Sequence, residues 1–284
     1  MRVSVITPLY HGKKYIANII QQVKEASHFI PSITVEHIII NDAPEEVIPK
    51  EEVEIQELNY ESHFFSNLVN QGIHGSRVAA LEKATGNYLL FLDQDDRIAP
   101  NYFASQLSKI GDSDVVVANG YQAFETKQIP IYRTYQKQQE AVSYKGYQFR
   151  SAIISPGQCL VRRTSISDIW IQHPMKVNGS DDYFLWILLL NEQCSFQINP
   201  DFLYYHTMGD QNFSNNDYKM KRSSLEAYQL LKQYSFIPSK IKKYRRFNQA
   251  LIGKNYSIWT NLKAVLCYPD VLYYKVYDSI KRKW

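Results

Sequence analysis

Cysteine is scarce: 284 residues contain only Cys159, Cys194 and Cys267. An odd count without CxxC spacing, set among apolar neighbours, argues against a disulfide framework or a cysteine-rich zinc site and reads as buried free thiols. No run of 18 or more apolar residues occurs, so no segment reads as a bilayer-spanning helix. The N-terminal "MRVSVITPLYHGKKYI" has a strand-length apolar run followed by charge rather than a signal-peptide core, which makes a cytosolic location the expectation. No GxGxxG follows the first apolar run and no GxxxxGK[ST] occurs anywhere, so dinucleotide-binding and P-loop readings lose their defining loops. Repeats and low-complexity linkers are missing too. The 45% of hydrophobic residues suffices for one large domain, or a domain with an appendage.

Acids are scarce in one region. From Lys219 to Trp284 there are 15 Lys and Arg against 3 Asp and Glu, a net of about +12, which leaves about −8 for residues 1–218. Residues 218–284 therefore read as a basic C-terminal extension. Its "KIKKYRR" (Lys240 to Arg246) and "KRK" (Lys281 to Lys283), interleaved with Tyr and Trp, match an anionic membrane surface or a nucleic acid. A solvated helical face or a dimer contact fits the same composition.

In the first 100 residues, strand and helix patterns alternate. "RVSVITPLY" is β-rich, "KKYIANIIQQVKEAS" has apolar residues at helical spacing, and "VEHIIIND" is a second strand. "EVEIQELNY" reads as a third strand, "GSRVAALEKATG" as a helix closed by Gly86, and "NYLLFLD" as a fourth strand. Such alternation predicts a mostly parallel sheet covered by helices on both faces. Ligands on such sheets bind beyond the carboxyl ends of the strands, so Thr7 to Tyr10, Asp42 and Asp93 to Asp96 should converge on one crevice. Further on, "SDVVVANGYQAF" and "GQCLVRRTSI" read as strands, "SDDYFLWILLLNEQ" as a helix, and "FQINPDFLYYH" as a strand ending at His206. The Tyr-rich segment between residues 132 and 155 has weak periodicity and could cover or line the site.

In "NYLLFLDQDDRIAP" an apolar strand runs into Asp93, Asp95 and Asp96, which repel one another. A hard divalent cation would offset that repulsion, since Mg²⁺, Ca²⁺ and Mn²⁺ all suit carboxylate oxygens. Taken alone, the same acids also fit a solvated turn or a helix cap.

The order of "VITPLY", "IIINDA", "NQGIHGSRVAALEKATGNYLLFLDQDD", "GSDDYFLW" and "YYHTMGDQNFS" resembles the family 2 glycosyltransferases of the GT-A fold. The likeness spans roughly residues 1–215 and is most specific from Asn70 to Asp96. It implies an α/β domain over residues 1–217, with a nucleotide-sugar half (1–100) and an acceptor half (101–217). Carried over by position, Thr7, Pro8, Tyr10, Asp42, Arg77, Asp93, Gln94 and Asp95 would bind the nucleotide sugar. Tyr10 would stack on the base, Asp42 would accept a hydrogen bond from it, and Arg77 would face the diphosphate. Asp95, Asp93 and His206 would hold Mn²⁺ or Mg²⁺, and Asp96 is a third carboxylate without a role. Asp182, paired with Asp181, would be the general base of an inverting hexosyl transfer. The donor would be most simply UDP-linked, and the acceptor a hydroxyl of a glycan or lipid-linked saccharide in polysaccharide biosynthesis. At the level of single residues, Asp42 also reads as a turn residue, Arg77 as an exposed helix arginine and Asp182 as an acid favoured at a helix N-terminus. Rival readings of the whole are a nucleotidyltransferase and a non-catalytic basic module, although no nucleic-acid partner is expected. A homo-oligomer is compatible with the sequence.

Overall fold

The computed structural model describes residues 1–147, 151–209 and 216–234, together with residues 241, 266, 267, 269 and 273. In chain order the elements are β1 (Arg2–Leu9), α1 (Ile16–His28), β2 (Thr34–Asn41), β3 (Gln56–Glu57), β4 (Tyr60–Ser66), α2 (Gly72–Leu81), β5 (Tyr88–Phe91), β6 (Arg97–Ile98), α3 (Tyr102–Ile110), β7 (Val115–Ala123) and β8 (Gln128–Pro130). They continue with α4 (Tyr135–Glu140), β9 (Cys159–Arg162), α5 (Asp168–Gln172), α6 (Asp181–Asn191), β10 (Phe196–Thr207) and α7 (Asp217–Lys232).

Nine of the strands lie in the order β3-β4-β2-β1-β5-β9-β7-β10-β6, and β8 pairs with β7. β4, β2, β1 and β5 run parallel, as do β7 and β10. β9 is antiparallel to both β5 and β7, so it joins the two parallel blocks in one direction. The mixed sheet is thus mostly parallel, as the strand–helix alternation predicts. The central strand β1 is buried from Val3 to Leu9, which is why its sequence is nearly unbroken by polar residues. α1 and α3 cover one face of the sheet, and α2, α5 and α6 cover the other. α6 is apolar all round and buried from Tyr183 to Leu189. Trp186 and Trp170 are packed in this core.

At the amino ends of the strands, Glu36 ties β2 to its neighbours. It accepts from Arg2 at 2.7 Å, from the Thr85 amide and hydroxyl at 2.6 and 2.8 Å, from the Gly86 amide at 2.9 Å, and from the Ser4 hydroxyl. Burial alone would raise the Glu36 pKa, but these donors hold it at about 2. Gly86 sits here rather than at the end of α2, and a Cβ on it would lie 2.6 Å from the Ser4 backbone nitrogen.

Two expectations need correcting. The strand expected over "EVEIQELNY" lies instead in "YESHFFS", where Tyr60, Ser62 and Phe64 alternate inward on the parallel partner of β2. The acid-rich segment before it supplies only the two-residue β3. Among the cysteines, Cys159 is buried, Cys194 is half-buried and Cys267 is exposed. The domain line drawn at residue 217 also meets the packing of α7, whose Ala227 and Leu231 are fully buried in the core beneath α6. Apart from residues 218–234 and five isolated positions, the basic extension, including the lysine and arginine clusters expected to meet a membrane, lies outside the described residues, as do Asn212 and Ser214 of the family-like motif "YYHTMGDQNFS". Among the described residues no helix is long and apolar enough to cross a membrane.

Candidate active site

The carboxyl ends of β1, β2 and β5 open onto a crevice of about 1260 Å³. Pro8, Tyr10, Asp42, Asn70, Arg77, Asp93, Gln94 and Asp95 line one part of it. Ser155, Asn178, Asp181, Asp182, His206 and Lys219 line another. A separate depression of about 490 Å³ around Asp114, Ser165 and Glu192 lies at the amino ends of β7 and β10, away from these acids.

At the centre is Arg77 on α2, which is 2% exposed. Its guanidinium donates to Asp181 at 2.5 Å and to Asp93. Burial works against its charge, but the Asp181 and Asp93 carboxylates more than offset this and raise its pKa. One cation therefore pins an acid on each wall of the crevice, and among the described residues Asp182 and Asp95 have no such partner. Burial, and then the charge of neighbouring Asp181, push the Asp182 pKa up to about 8. Burial, then Asp96 and Asp93, push that of Asp95 up to about 6. Asp182 Oδ1 accepts its own helix's Tyr183 amide at 2.6 Å, and the Asp181 carbonyl accepts Trp170 Nε1–H at 2.9 Å, so the start of α6 is fixed in orientation.

The crowding in Asp93-Gln94-Asp95-Asp96 is eased by turning three of the four residues to different partners, and it persists at Asp95. Asp93 takes Arg77 and, at 3.4 Å, the Ser155 hydroxyl. Gln94 latches onto the end of β1: its Oε1 accepts the Tyr10 amide at 2.9 Å, and its amide donates to the Tyr10 carbonyl at 3.3 Å. A Cβ on Gly12 would overlap that Gln94 oxygen. Between them, His11 holds a φ of 47°, a strained value for a non-glycine residue in a loop beside the crevice. Asp96 turns inward, accepting from the Tyr204 hydroxyl, from the Thr207 amide at 2.9 Å, and lying 3.2 Å from His206 Nδ1. It thus anchors β10 and orients the His206 ring. Burial lowers the His206 pKa, but Asp96 outweighs it and the net shift is upward.

Asp95 and His206 therefore differ from the other groups in what they offer a cation. Asp96 engages Nδ1, so Nε2 is the nitrogen a cation would take, as in the carboxylate–histidine arrangement common behind metal ligands. Among the described residues no three His, Cys, Asp or Glu side chains form a metal-binding cluster. A carboxylate and an imidazole fit an ion whose remaining ligands are phosphate oxygens and water, which is how Mg²⁺ is commonly held.

The profile named Glycosyl transferase family 2 matches residues 4–170, more than half of the chain. The chain belongs to glycosyltransferase family 2. It acts, as such, on nucleotide sugars. An uncharacterized glycosyltransferase of Haemophilus influenzae is 27% identical over 226 residues, covering 76% of this glycosyltransferase and 83% of the relative. The putative teichuronic acid biosynthesis glycosyltransferase TuaG of Bacillus subtilis is 22% identical, with 83% and 90% covered. Among solved structures, S. aureus TarS (residues 1–349) aligns with a TM-score of 0.64 at 16% identity, covering 95% of this chain and 80% of that one. The mannosyltransferase PcManGT from Pyrobaculum calidifontis, solved with GDP-Man and Mn²⁺, gives 0.61 at 12% identity, with 100% and 81% covered. These structures show the GT-A fold for the glycosyltransferase. The matched profile stops short of Asp181, Asp182 and His206.

Of the residues expected to meet the nucleotide sugar, Pro8, Tyr10, Gln94 and Asp95 reach the crevice of the glycosyltransferase, with Tyr10 54% exposed. Thr7 does not line it: fully buried, its hydroxyl lies 2.9 Å from His37 Nε2 within the sheet. Asp42 reaches the crevice, but its carboxylate caps α2. Oδ1 accepts from Asn67 Nδ2 and the Gln71 amide, each at 2.7 Å, and Oδ2 from the Gly72 amide at 2.8 Å. This suits an anion at a helix N-terminus. Gly72 there has a φ of 75°, which favours glycine. Arg77 is not the exposed helix arginine of the simplest reading, and both terminal nitrogens of its guanidinium are engaged by carboxylates. Ser155 and Asn178 were not foreseen. Ser155 sits in a Ser-Pro-Gly step that signals a turn but no chemistry.

Proposed function

We propose that this enzyme transfers a hexose from a nucleoside diphosphate sugar, UDP-linked, to a hydroxyl of a glycan or lipid-linked saccharide, with inversion and with Asp182 as general base. The observation that carries the reading is the division of the acids by Arg77: Asp181 and Asp93 share its single positive charge, whereas Asp182 faces the crevice without that pairing and with its pKa pushed up to about 8. A base poised there is suited to taking a hydroxyl proton as the oxygen attacks. In the step, the acceptor oxygen forms the new bond to the anomeric carbon, the bond to the diphosphate breaks and carries away the electron pair, and the proton passes to Asp182. The Tyr183 amide on Asp182 Oδ1 leaves Oδ2 to receive that proton. Asp95 and His206 would hold the divalent cation, Mn²⁺ or Mg²⁺, and when bound it supplies Lewis-acid stabilisation of the departing diphosphate. Tyr10 would offer its exposed ring to the base. The relatedness to TuaG, named for teichuronic acid biosynthesis, supports a polysaccharide acceptor. A cytosolic enzyme held at the membrane by its basic extension would meet such an acceptor when it is lipid-linked, at about 1 kcal/mol per charge near an anionic leaflet.

A panel of nucleotide sugars, assayed for transfer and hydrolysis with Mn²⁺ and Mg²⁺, identifies the donor. Asp182→Asn should then abolish transfer while UDP still binds within about twofold of wild type. Near-normal turnover by this variant, or NMR of the product showing retained anomeric configuration, overturns the mechanism.

A further inference from the structure

The acid pair Asp181–Asp182 is preceded by an irregular segment, Met175 to Ser180, with backbone attachments to two helices. From α2, His74 Nδ1 accepts the Met175 amide at 2.9 Å, and the Ile73 amide donates to Asn178 Oδ1 at 3.0 Å. From α7, the Glu226 carboxylate accepts the Lys176 amide on one oxygen at 2.7 Å and the Val177 amide on the other at 2.8 Å. Ser223, one turn earlier on the same face, donates to the Val177 carbonyl at 2.8 Å. Gly179 then makes the final turn into α6 with a φ of 112°. α7 is itself fixed, because Ala227 and Leu231 on the same side are buried in the core.

We propose that Glu226 is a positioning residue for the reaction: by fastening the Lys176 and Val177 amides it sets the place of Asp182 in the crevice. The proposal rests on Asp182 being the base. A carboxylate that bridges two successive amides fixes both the position and the rotation of the segment, which a single hydrogen bond does not. The same helix contributes Lys219 and Met220 to the crevice wall, so α7 both lines the site and holds its acid loop. The matched family profile, ending at residue 170, does not include this helix.

The full-length chain is the material for the test, with the best nucleotide sugar from the panel as substrate and UDP with Mn²⁺ as the binding probe. Glu226→Ala removes both acceptors and Glu226→Gln leaves one carbonyl oxygen. Because a displacement of about 1 Å at a reacting group lowers rate by about 10²-fold, kcat should fall by about 100-fold for Glu226→Ala and about 10-fold for Glu226→Gln. The donor KM and the Kd for UDP should stay within about twofold. Hydrogen exchange at the Lys176 and Val177 amides should quicken by about 10-fold or more as their acceptor is lost, with Leu185 to Leu189 unchanged. If Glu226→Ala does not fold, Glu226→Gln and Ser223→Ala carry the same comparison. A kcat within twofold of wild type, an equal loss in UDP binding, or exchange quickened along all of α6 overturns the proposal. Should wild type turn over no nucleotide sugar, the base reading falls; exchange then decides whether Glu226 sets this segment, local quickening supporting it and none overturning it.

Discussion

Replacing Arg77 by Met tests the electrostatic division of the crevice. The substitution keeps most of the side chain's apolar length but removes the charge shared by Asp93 and Asp181, leaving two buried or half-buried carboxylates facing each other across it. Breaking a buried ion pair by deleting one partner destabilises by about 3–5 kcal/mol, since the remaining charge has lost both water and counter-ion. Arg77 serves two carboxylates, so the upper part of that range is expected at pH 8. The loss should shrink on acidification. Asp93 already has a raised pKa, from burial, and without Arg77 it becomes the group that takes up a proton. The folded variant then binds more protons than its unfolded chain, so its stability relative to wild type increases as pH falls, by about 1.4 kcal/mol per pH unit for one proton. Urea unfolding of both proteins at pH 8, 7 and 6, compared by midpoint and slope, measures this. A difference below about 1 kcal/mol, or one independent of pH, would refute the shared counter-charge. Arg77→Lys should recover only part of the loss, because an ammonium lacks the planar fork that reaches two carboxylates at once.

Asp42→Ala should cost about 2 kcal/mol in urea unfolding through loss of the α2 cap, whereas a residue serving only a bound base would leave the apo stability unchanged. The sheet should also be acid-sensitive through His37 and Glu36. Burial holds the His37 pKa at about 3 against an ordinary 6.5, and the donors around Glu36 hold it at about 2 against 4.5. In both cases the unfolded chain binds the proton first, so stability falls as pH drops through 6.5 for His37 and through 4.5 for Glu36, each at about 1.4 kcal/mol per unit. His37→Gln should flatten the slope between pH 6.5 and 4.5, and an unchanged slope would remove His37 as its source.

The parallel sheet and its crevice are legible in the sequence because the strand–helix alternation is local and the strand ends carry their own polar residues. The strand at Tyr60 to Ser66 is less so: flanked on its outer side only by the two-residue β3, it is partly in solvent and carries Glu61 and His63, and its polar neighbour "EVEIQE" has similar alternation. The positions of Asp42, Arg77 and Asp96 follow from their places in the chain, but their partners do not. Arg77 and Asp181 are 104 residues apart, and Asp96 and Thr207 are 111 apart. Such pairings arise only when the sheet closes. Glu226 carries no local signal at all, for an acid on an amphipathic helix reads as a solvated side chain until the loop it holds is brought beneath it.

The placement of α7 separates two properties that the sequence presents together. Charge composition changes at Lys219, yet Ser223, Ala227 and Leu231 behind that boundary are fully buried. A change in net charge records what the outward faces of helices meet, and folding units are defined by where apolar contacts stop. A truncation made where the basic residues begin would therefore strip a wall from the core and expose the underside of α6. The shortest stable enzyme must extend at least through Ile241, which is buried in the same core, carrying the beginning of its basic region with it.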